Sequence, residues 1–209
     1  MSADQAHVKR QVAVDPVLIG YFAKETLDPA EARFLGPIED IASVAECIVS
    51  GADDWRKQWK HNALWRFDSE ELALSVVPPE LRPSFHVYAY ELYPVLFDLE
   101  GGQPLRMPLL NPHPLPEDYQ LLGHDVVELS GMGQSAGEDP NYEFGCSPLS
   151  CNSLLREVRV NRHCLLDSSA EALELAKKVA ASNGTMGEPG PYVAVRVFRK
   201  KKRERQSVP

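Results

Sequence analysis

Residues 162–198 read RHCLLDSSAEALELAKKVAASNGTMGEPGPYVAVRVF, and this stretch holds the clearest structural pattern in the chain. Residues 162–166 are predicted to form a short strand. Ser168 followed three residues later by Glu171 matches a capping box and predicts the start of a helix. Apolar residues then recur at helical spacing as far as Val179.

The same stretch ends in a second predicted strand. Asn183-Gly184 is a typical helix end, and the prolines and glycines of 188–191 turn the chain. Residues 193–198 then alternate valine with other side chains, which is typical of a strand. The stretch therefore predicts a C-terminal β-α-β unit, in which we expect the two strands to lie parallel.

Together with this unit, the rest of the sequence predicts an α+β fold. It predicts a mixed sheet of about four or five strands with three or four helices. The other predicted strands are 17–23, 85–92 and 124–129, and the other predicted helices are 38–49, 53–59 and one that starts near Asp68 and ends before Pro78-Pro79. Residues 100–117 and 130–153, rich in Pro and Gly, are expected to be irregular. The sequence shows no internal repeat.

The chain is expected to divide into a disordered N-terminus at 1–15, one domain at 16–198, and a basic disordered tail at 199–209. The first ten residues lack the apolar segment of a signal peptide. No apolar run approaches the roughly 18–20 residues that span a bilayer. We therefore expect a soluble cytoplasmic protein with no membrane partner.

The charge of the chain is unevenly distributed. The formal net charge is −8, but residues 199–205 carry six basic residues and one acidic residue, which leaves 16 basic against 29 acidic residues elsewhere. Such an acidic body repels phosphate backbones, so nucleic acid is not an expected partner except through the tail. The tail itself fits a basic arm, a nuclear-import signal or a solvated terminus.

The cysteines and glycines do not match known metal or nucleotide motifs. Cys146 and Cys151 have a C-x4-C spacing, which is wider than the common zinc knuckle, and no second tight pair accompanies them. All four cysteines are expected to be free thiols. The glycines of 131–137 follow G-x-G-x-x-x-G, which departs from the dinucleotide fingerprint. We predict no metal and no cofactor.

Residues 55–65 contain all three tryptophans of the chain. Trp55 and Trp59 are one helical turn apart, and His61, Asn62 and Trp65 follow. One interpretation is an aromatic anchor for a partner, with His61 and Asn62 as polar contacts. The other is a corner of the core that the tryptophans close.

Two further groups are candidates for catalysis. His86 and Tyr88 share one face of a predicted strand with Tyr90, where they either line a pocket or pack as an aromatic sheet face. Cys146 or Cys151 could form a nucleophile pair with His163 if the fold brings them together.

These observations leave two hypotheses for function. The first is a binding or regulatory protein that acts through protein–protein contacts, because no catalytic motif is found. The alternative is a small-molecule enzyme, a transferase or a hydrolase, that uses a His/Cys/Tyr cleft. Whether the protein is an enzyme stays open at this point, as do the roles of the 100–117 and 130–145 loops.

Overall fold

A computed structural model describes residues 15–25, 38–45, 62–98, 101–105, 114–132, 141–150 and 158–201. Within these ranges the chain forms seven strands and two α-helices. The strands are β1 (Val17–Glu25), β2 (Phe85–Leu92), β3 (Val95–Asp98), β4 (Gly101–Pro104), β5 (Tyr119–Met132), β6 (Asn141–Phe144) and β7 (Tyr192–Lys200). The helices are α1 (Glu70–Ser75) and α2 (Ser169–Ala181).

The strands form one antiparallel sheet in which β7 is central. Strand β7 pairs with β2 and β3 on one side and with β5 on the other, while β1 extends the sheet beyond β2. The prediction of an α+β fold with a mixed sheet and three or four helices is therefore wrong. In the described ranges the fold is mainly β, with every strand pair antiparallel.

The C-terminal β-α-β unit is the main error. Residues 162–166 do not form a strand, because Cys164 has a left-handed backbone (φ +60°), which interrupts extended structure. Only Leu166 pairs, through an isolated bridge to His124. Helix α2 is followed by β7, which runs antiparallel to β5, so the unit contains no parallel pair.

The helix predicted at 38–49 is also wrong where it can be checked. Residues 38–45 have no helical structure. Their amide groups bond to distant segments instead: Ala42 donates to the His163 carbonyl, and Val44 donates to Asp125. The helix predicted at 53–59 lies outside the described residues.

Several local predictions are confirmed. Strand β2 has the predicted bounds, and α2 begins at a capping box in which Ser168 and Glu171 bond each other reciprocally. Helix α1 is capped by Ser69, one residue after the predicted start. The prediction of irregular structure at 100–117 and 130–153 is wrong in part, because strand β4 lies in the first stretch and strand β6 in the second.

The two faces of the sheet are covered differently. Helix α2 packs on Val126 and Ala194, and Glu70 of α1 reaches Lys200 on the same face, which we call the helix side. Residues 38–45, which we call the strap, cross the opposite face, the strap side. Neither helix in the described ranges is long and apolar enough to cross a membrane.

Two asparagine loops have the same hydrogen bonds. Asn62 accepts from the amides of Leu64 and Arg66, and its amide group donates to the carbonyl of Ile19 in β1 and to Asp68. The Asn161 loop repeats this set: the amides of His163 and Leu165 donate to Asn161, which donates to the Leu122 carbonyl in β5 and to Asp167. Each loop leads into a serine-capped helix.

The backbone of each loop also packs closely against a glycine in the neighbouring strand. Gly20 of β1 and Gly123 of β5 both lie at register shifts, with φ of +128° and +151°. A Cβ on Gly20 would stand 2.6 Å from the Phe67 carbonyl oxygen, and one on Gly123 would stand 2.7 Å from that of Leu166. Only glycine fits this close approach of loop and strand.

These equivalences relate the two halves of the sheet by a pseudo-two-fold axis. Tyr21 bridges the first loop and pairs with Ala89 of β2, whereas His124 bridges the second loop and pairs with Arg196 of β7. The next residues along β2 and β7 are Tyr90 and Val197, and they pair with each other. The axis therefore passes through this pair. Strands β1 and β2 with the first loop, and β5 and β7 with the second, form an internal structural duplication that the sequence did not predict.

The last strand continues into the basic segment. Strand β7 runs to Lys200, whose ammonium group bonds the carboxylate of Glu70 in α1 and lies 3.5 Å from Asp118. The Lys201 amide then donates to the Asp118 carbonyl. The basic residues at 200 and 201 are thus docked on the sheet.

The duplication predicts matched roles for the two loop asparagines. Replacing Asn62 or Asn161 with alanine should each cost about 3 kcal/mol, because buried backbone groups lose their partners. Urea denaturation would measure both, with exposed Gln120→Ala as a control expected within about 0.5 kcal/mol of the parent. Penalties that differ by more than about 2 kcal/mol would contradict the equivalence.

Candidate functional site

Buried polar side chains concentrate beneath and beside the strap. They come from β1, β5, both asparagine loops and the segment after β6: Lys24, Arg66, Asp125, Ser147 and His163. The strap contributes Asp40 and Ser43. Buried polar groups must find hydrogen-bond partners, and these side chains find them in each other and in the strap backbone.

Asp125 is the centre of this network. Its carboxylate accepts from the hydroxyls of Ser43 and Ser147, each at 2.7 Å, and from the amides of Val44 and Val126, each at 2.8 Å. Burial raises the pKa of Asp125, although these four hydrogen bonds oppose the shift. Asp125 therefore ties the strap to β5 and to the segment that follows β6.

Lys24 is buried at the other end of the network. Its ammonium group donates to the Ser43 carbonyl and lies 4.5 Å from the ring centroid of Tyr88, which stacks on Tyr90. Burial lowers the pKa of Lys24 to about 7, and Asp125 opposes the shift. The side chain is only 2% exposed, so solvent does not screen these interactions.

Arg66 connects the first asparagine loop to the strap. Its guanidinium group donates to the Val44 carbonyl at 2.9 Å and lies 4.6 Å from the ring centroid of Phe144 and 5.4 Å from that of Tyr90. Arginine stacks on aromatic faces while keeping its in-plane donors available. Arg66 thus holds the strap from the side of the first asparagine loop.

Asp40 attaches the strap to the second half of the molecule. It pairs with His163 Nδ1 and with the Arg199 guanidinium at 2.5 Å. The Arg162 Nε donates to His163 Nε2 at 3.2 Å, which indicates that the imidazole proton is on Nδ1. Burial would raise the pKa of Asp40, but His163 and Arg199 outweigh it and lower the pKa.

The predicted catalytic residues are only partly brought together. His163 and Tyr88 both lie on the strap side, but both ring nitrogens of His163 are engaged and Tyr88 is enclosed beside Lys24. His86 is half-buried at the end of the same strand face, and Cys146 is half-buried. Cys151 lies outside the described residues.

Only some of the predicted binding residues lie in the described ranges. Asn62 stabilises its loop: its side-chain oxygen accepts from the Leu64 amide, and its side-chain nitrogen donates to the Ile19 carbonyl. Trp65 is half-buried at the left-handed position of that loop (φ +53°). Trp55, Trp59 and His61 lie outside the described residues. Of the other cysteines, Cys164 is buried and its thiol donates to the Leu149 carbonyl at 3.3 Å, and Cys47 lies outside the described residues.

A second polar group crosses the helix side of the sheet. Glu91, Arg196 and His124 are direct cross-strand neighbours on β2, β7 and β5, and we call them the seam. Arg196 Nη1 lies 2.8 Å from Glu91 Oε2 and its guanidinium packs over the Phe198 ring at 5.0 Å. The seam separates the apolar cluster that contains Phe198 from the one that contains Tyr93.

His124 is the most enclosed member of the seam. It is 5% exposed, it stacks on Tyr93 at 6.4 Å, and its Nδ1 has no hydrogen-bond partner among the described residues. Burial lowers the pKa of His124; the Leu166 backbone opposes the shift and Arg196 adds to it. Burial therefore favours the neutral form of the imidazole.

Sequence reasoning missed most of these residues. Lys24 directly follows the apolar run 17–23, Asp125 lies within the predicted strand 124–129, and Arg66 lies between Trp65 and Phe67. A charge beside or within apolar residues is the one local sign that it needs a buried partner. Their partners are distant in sequence, so the pairs themselves were not readable.

Among the described residues no group of three or more His, Cys, Asp or Glu side chains is placed to hold a metal ion. Comparisons with protein-family models, with curated proteins and with solved structures found no match to this chain.

The pKa of Lys24 predicts a pH-dependent stability. The unfolded chain, with a lysine pKa of 10.5, binds more protons than the folded chain from about pH 7 to 10, so stability should rise with pH across that window. Relative to Lys24→Met, the free energy of unfolding of the parent, measured with urea, should increase by up to about 1.4 kcal/mol per pH unit. If the free energies of unfolding of the two proteins change in parallel with pH, the ammonium group is not desolvated.

The pairing of Asp40 predicts an acid-sensitive contribution. Asp40→Asn should cost about 3 kcal/mol at pH 7, because it breaks a largely buried ion pair. The folded-state pKa is depressed, so this difference should be complete above about pH 4 and shrink as pH falls further. The exposed Glu39 lies 3.5 Å from Arg162, and Glu39→Gln should cost under about 0.5 kcal/mol. Equal costs for the two variants in urea unfolding would contradict this account.

Proposed function

We propose that the protein is a binding or regulatory protein that acts through protein–protein contacts. The observation that carries the proposal is the engagement of the buried polar groups in holding the chain together. His163 is occupied on both ring nitrogens, and Asp125 accepts four hydrogen bonds from the strap and its surroundings. Groups in such roles stabilise one conformation and are not poised to exchange protons with a substrate.

The loop around Trp65 supports the proposal. A tryptophan that is half-buried in a loop combines apolar area with a rigid backbone, which is typical of interface anchors. Asn62 fixes that backbone through its bonds to Leu64 and Arg66, so a partner would meet a preorganised surface.

A small-molecule transferase or hydrolase is the second candidate, favoured by one observation. Lys24, whose pKa is lowered to about 7 by burial, lies against Tyr88 and Tyr90 and near Asp125. Perturbed lysines of this kind are common at catalytic sites. A turnover reaction abolished by Lys24→Met in a variant that stays folded would favour the enzyme.

The binding proposal is tested with Trp65→Asn. Asparagine tolerates the left-handed backbone, so this variant removes the indole ring while keeping the loop conformation. Partners recovered by quantitative affinity capture would be purified and their Kd measured. We expect at least about tenfold weaker binding, or about 1.4 kcal/mol, with Trp65→Asn.

The control is Lys177→Ala on the exposed face of α2, which should leave the Kd unchanged. Finding no purified partner with a Kd below about 10 µM would count against the proposal, as would equal binding by Trp65→Asn and the parent.

A further inference from the structure

His124 occupies a position at which the fold does not require a titratable side chain. Its counterpart under the pseudo-two-fold relation is Tyr21, because each residue forms the bridge between its strand and the neighbouring asparagine loop. Both side chains are buried. One half of the molecule builds the bridge around a tyrosine, so the bridge itself does not explain the histidine.

The bridge of His124 holds the chain where the second asparagine loop enters α2. The His124 amide donates to the Leu166 carbonyl and the Leu166 amide donates to the His124 carbonyl, each at 2.9 Å. Helix α2 begins at Ser169, three residues later. Tyr93 covers the imidazole by stacking on it. The environment of the ring is therefore coupled to the attachment of α2 to the sheet.

Helix α2 covers an apolar cluster of its own. Leu175 and Val179 of α2 pack in one cluster with Val126 of β5 and Ala194 of β7, whereas Ala73 of α1 belongs to the other cluster. A helix that packs in a separate cluster is the kind of unit that opens while the rest of a protein stays folded. Opening of α2 would bring the imidazole, which lies at the border of this cluster, into water.

The strand neighbours of His124 oppose a positive charge on its ring. Burial is the main cause of the lowered pKa of His124, and Arg196, its cross-strand partner on β7, lowers that pKa further. Glu91 of β2 lies next across the sheet, but its carboxylate is paired with Arg196 at 2.8 Å. Nδ1 of His124 has no hydrogen-bond partner among the described residues, so none of them accepts an added proton there.

The carboxylates that favour protonation of His124 belong to the loop and the helix. Asp167 and Glu171 both oppose the lowering of its pKa, but both are exposed, so water screens their attraction. Asp167 also accepts from the side-chain amide of Asn161, and Glu171 bonds Ser168 in the capping box. Attraction to an imidazolium would compete with these bonds, which hold the loop and the start of α2.

We propose that His124 is a pH-dependent switch, whose protonation detaches residues 166–181 from the sheet while β1, β2 and α1 stay folded. In the closed form the neutral ring is enclosed between the sheet, Tyr93 and the start of α2. In the open form the ring reaches water and binds one proton more. Opening exposes the apolar face of α2 in response to acid. This inference goes beyond the proposed binding role and does not involve the loop around Trp65.

The direction of the response follows from the two protonation equilibria. A solvated histidine has a pKa of 6.5, and the pKa of His124 in the closed form is lower. The closed form is therefore fully favoured above about pH 6.5. Below that pH, the equilibrium constant for opening should rise by up to about tenfold per pH unit, until the pKa of the closed form is reached.

Native-state hydrogen exchange of the full chain, followed by NMR at about pH 7.5 and about pH 5.5, tests the switch. Protection factors, which correct for the intrinsic pH dependence of exchange, should be at least about tenfold lower for the α2 amides of Ala176 and Val179 than for the β2 amides. Those of α2 should also fall at least about threefold at the lower pH. Equal protection of α2 and β2, or protection of α2 that does not change with pH, would overturn the proposal.

Two variants separate His124 from other titrating groups. His124→Tyr installs the residue found at the counterpart position, and it should abolish the fall in α2 protection. His86→Gln removes a half-buried histidine of β2 and should retain the fall. An equal fall in His124→Tyr and the parent would assign the response to another group. The ring signals of His124 in the parent give a test that needs no variant, because a pKa of 6.5 or higher in the folded protein would also overturn the proposal.

Discussion

The side-chain amide of asparagine sets the geometry on which both halves of the sheet depend. Asn62 and Asn161 each bind a strand carbonyl and the amides of their own loop at once, which holds the loop against a glycine bulge. No other side chain of that length carries both a donor and an acceptor group. Once the loop is fixed, the serine after its aspartate caps a helix, and the helix returns the chain to the sheet.

The duplication divides structural from specialised residues. The shared residues are few: between 62–69 and 161–168 only the asparagine, the aspartate and the serine coincide. The remaining positions differ with their surroundings: Arg66 faces the strap, whereas its counterpart Leu165 joins the apolar core. A frame that depends on so few residues can carry charged side chains at other positions, as on the strap side and in the seam.

The features that the sequence predicted correctly are those that depend on interactions between residues close in the chain. The capping box at Ser168 and the alternation in β2 act within a few residues, and both were read correctly. The strap was misread because helical spacing is a local preference, whereas its amides bond to His163 and Asp125 more than 80 residues away. The network around Lys24 and the seam were missed for the same reason, since each joins strands that are distant in sequence and the pairing was not known.

The pseudo-two-fold axis through Tyr90 and Val197 also has a consequence for folding. Strands β2 and β7 are equivalent edges of two similar halves, so each can pair with the corresponding strand of another molecule as well as with its own partner. Intramolecular pairing wins because the connecting chain keeps the local concentration of the second half high. At high protein concentration that advantage diminishes, and the same geometry becomes a route to domain-swapped assembly.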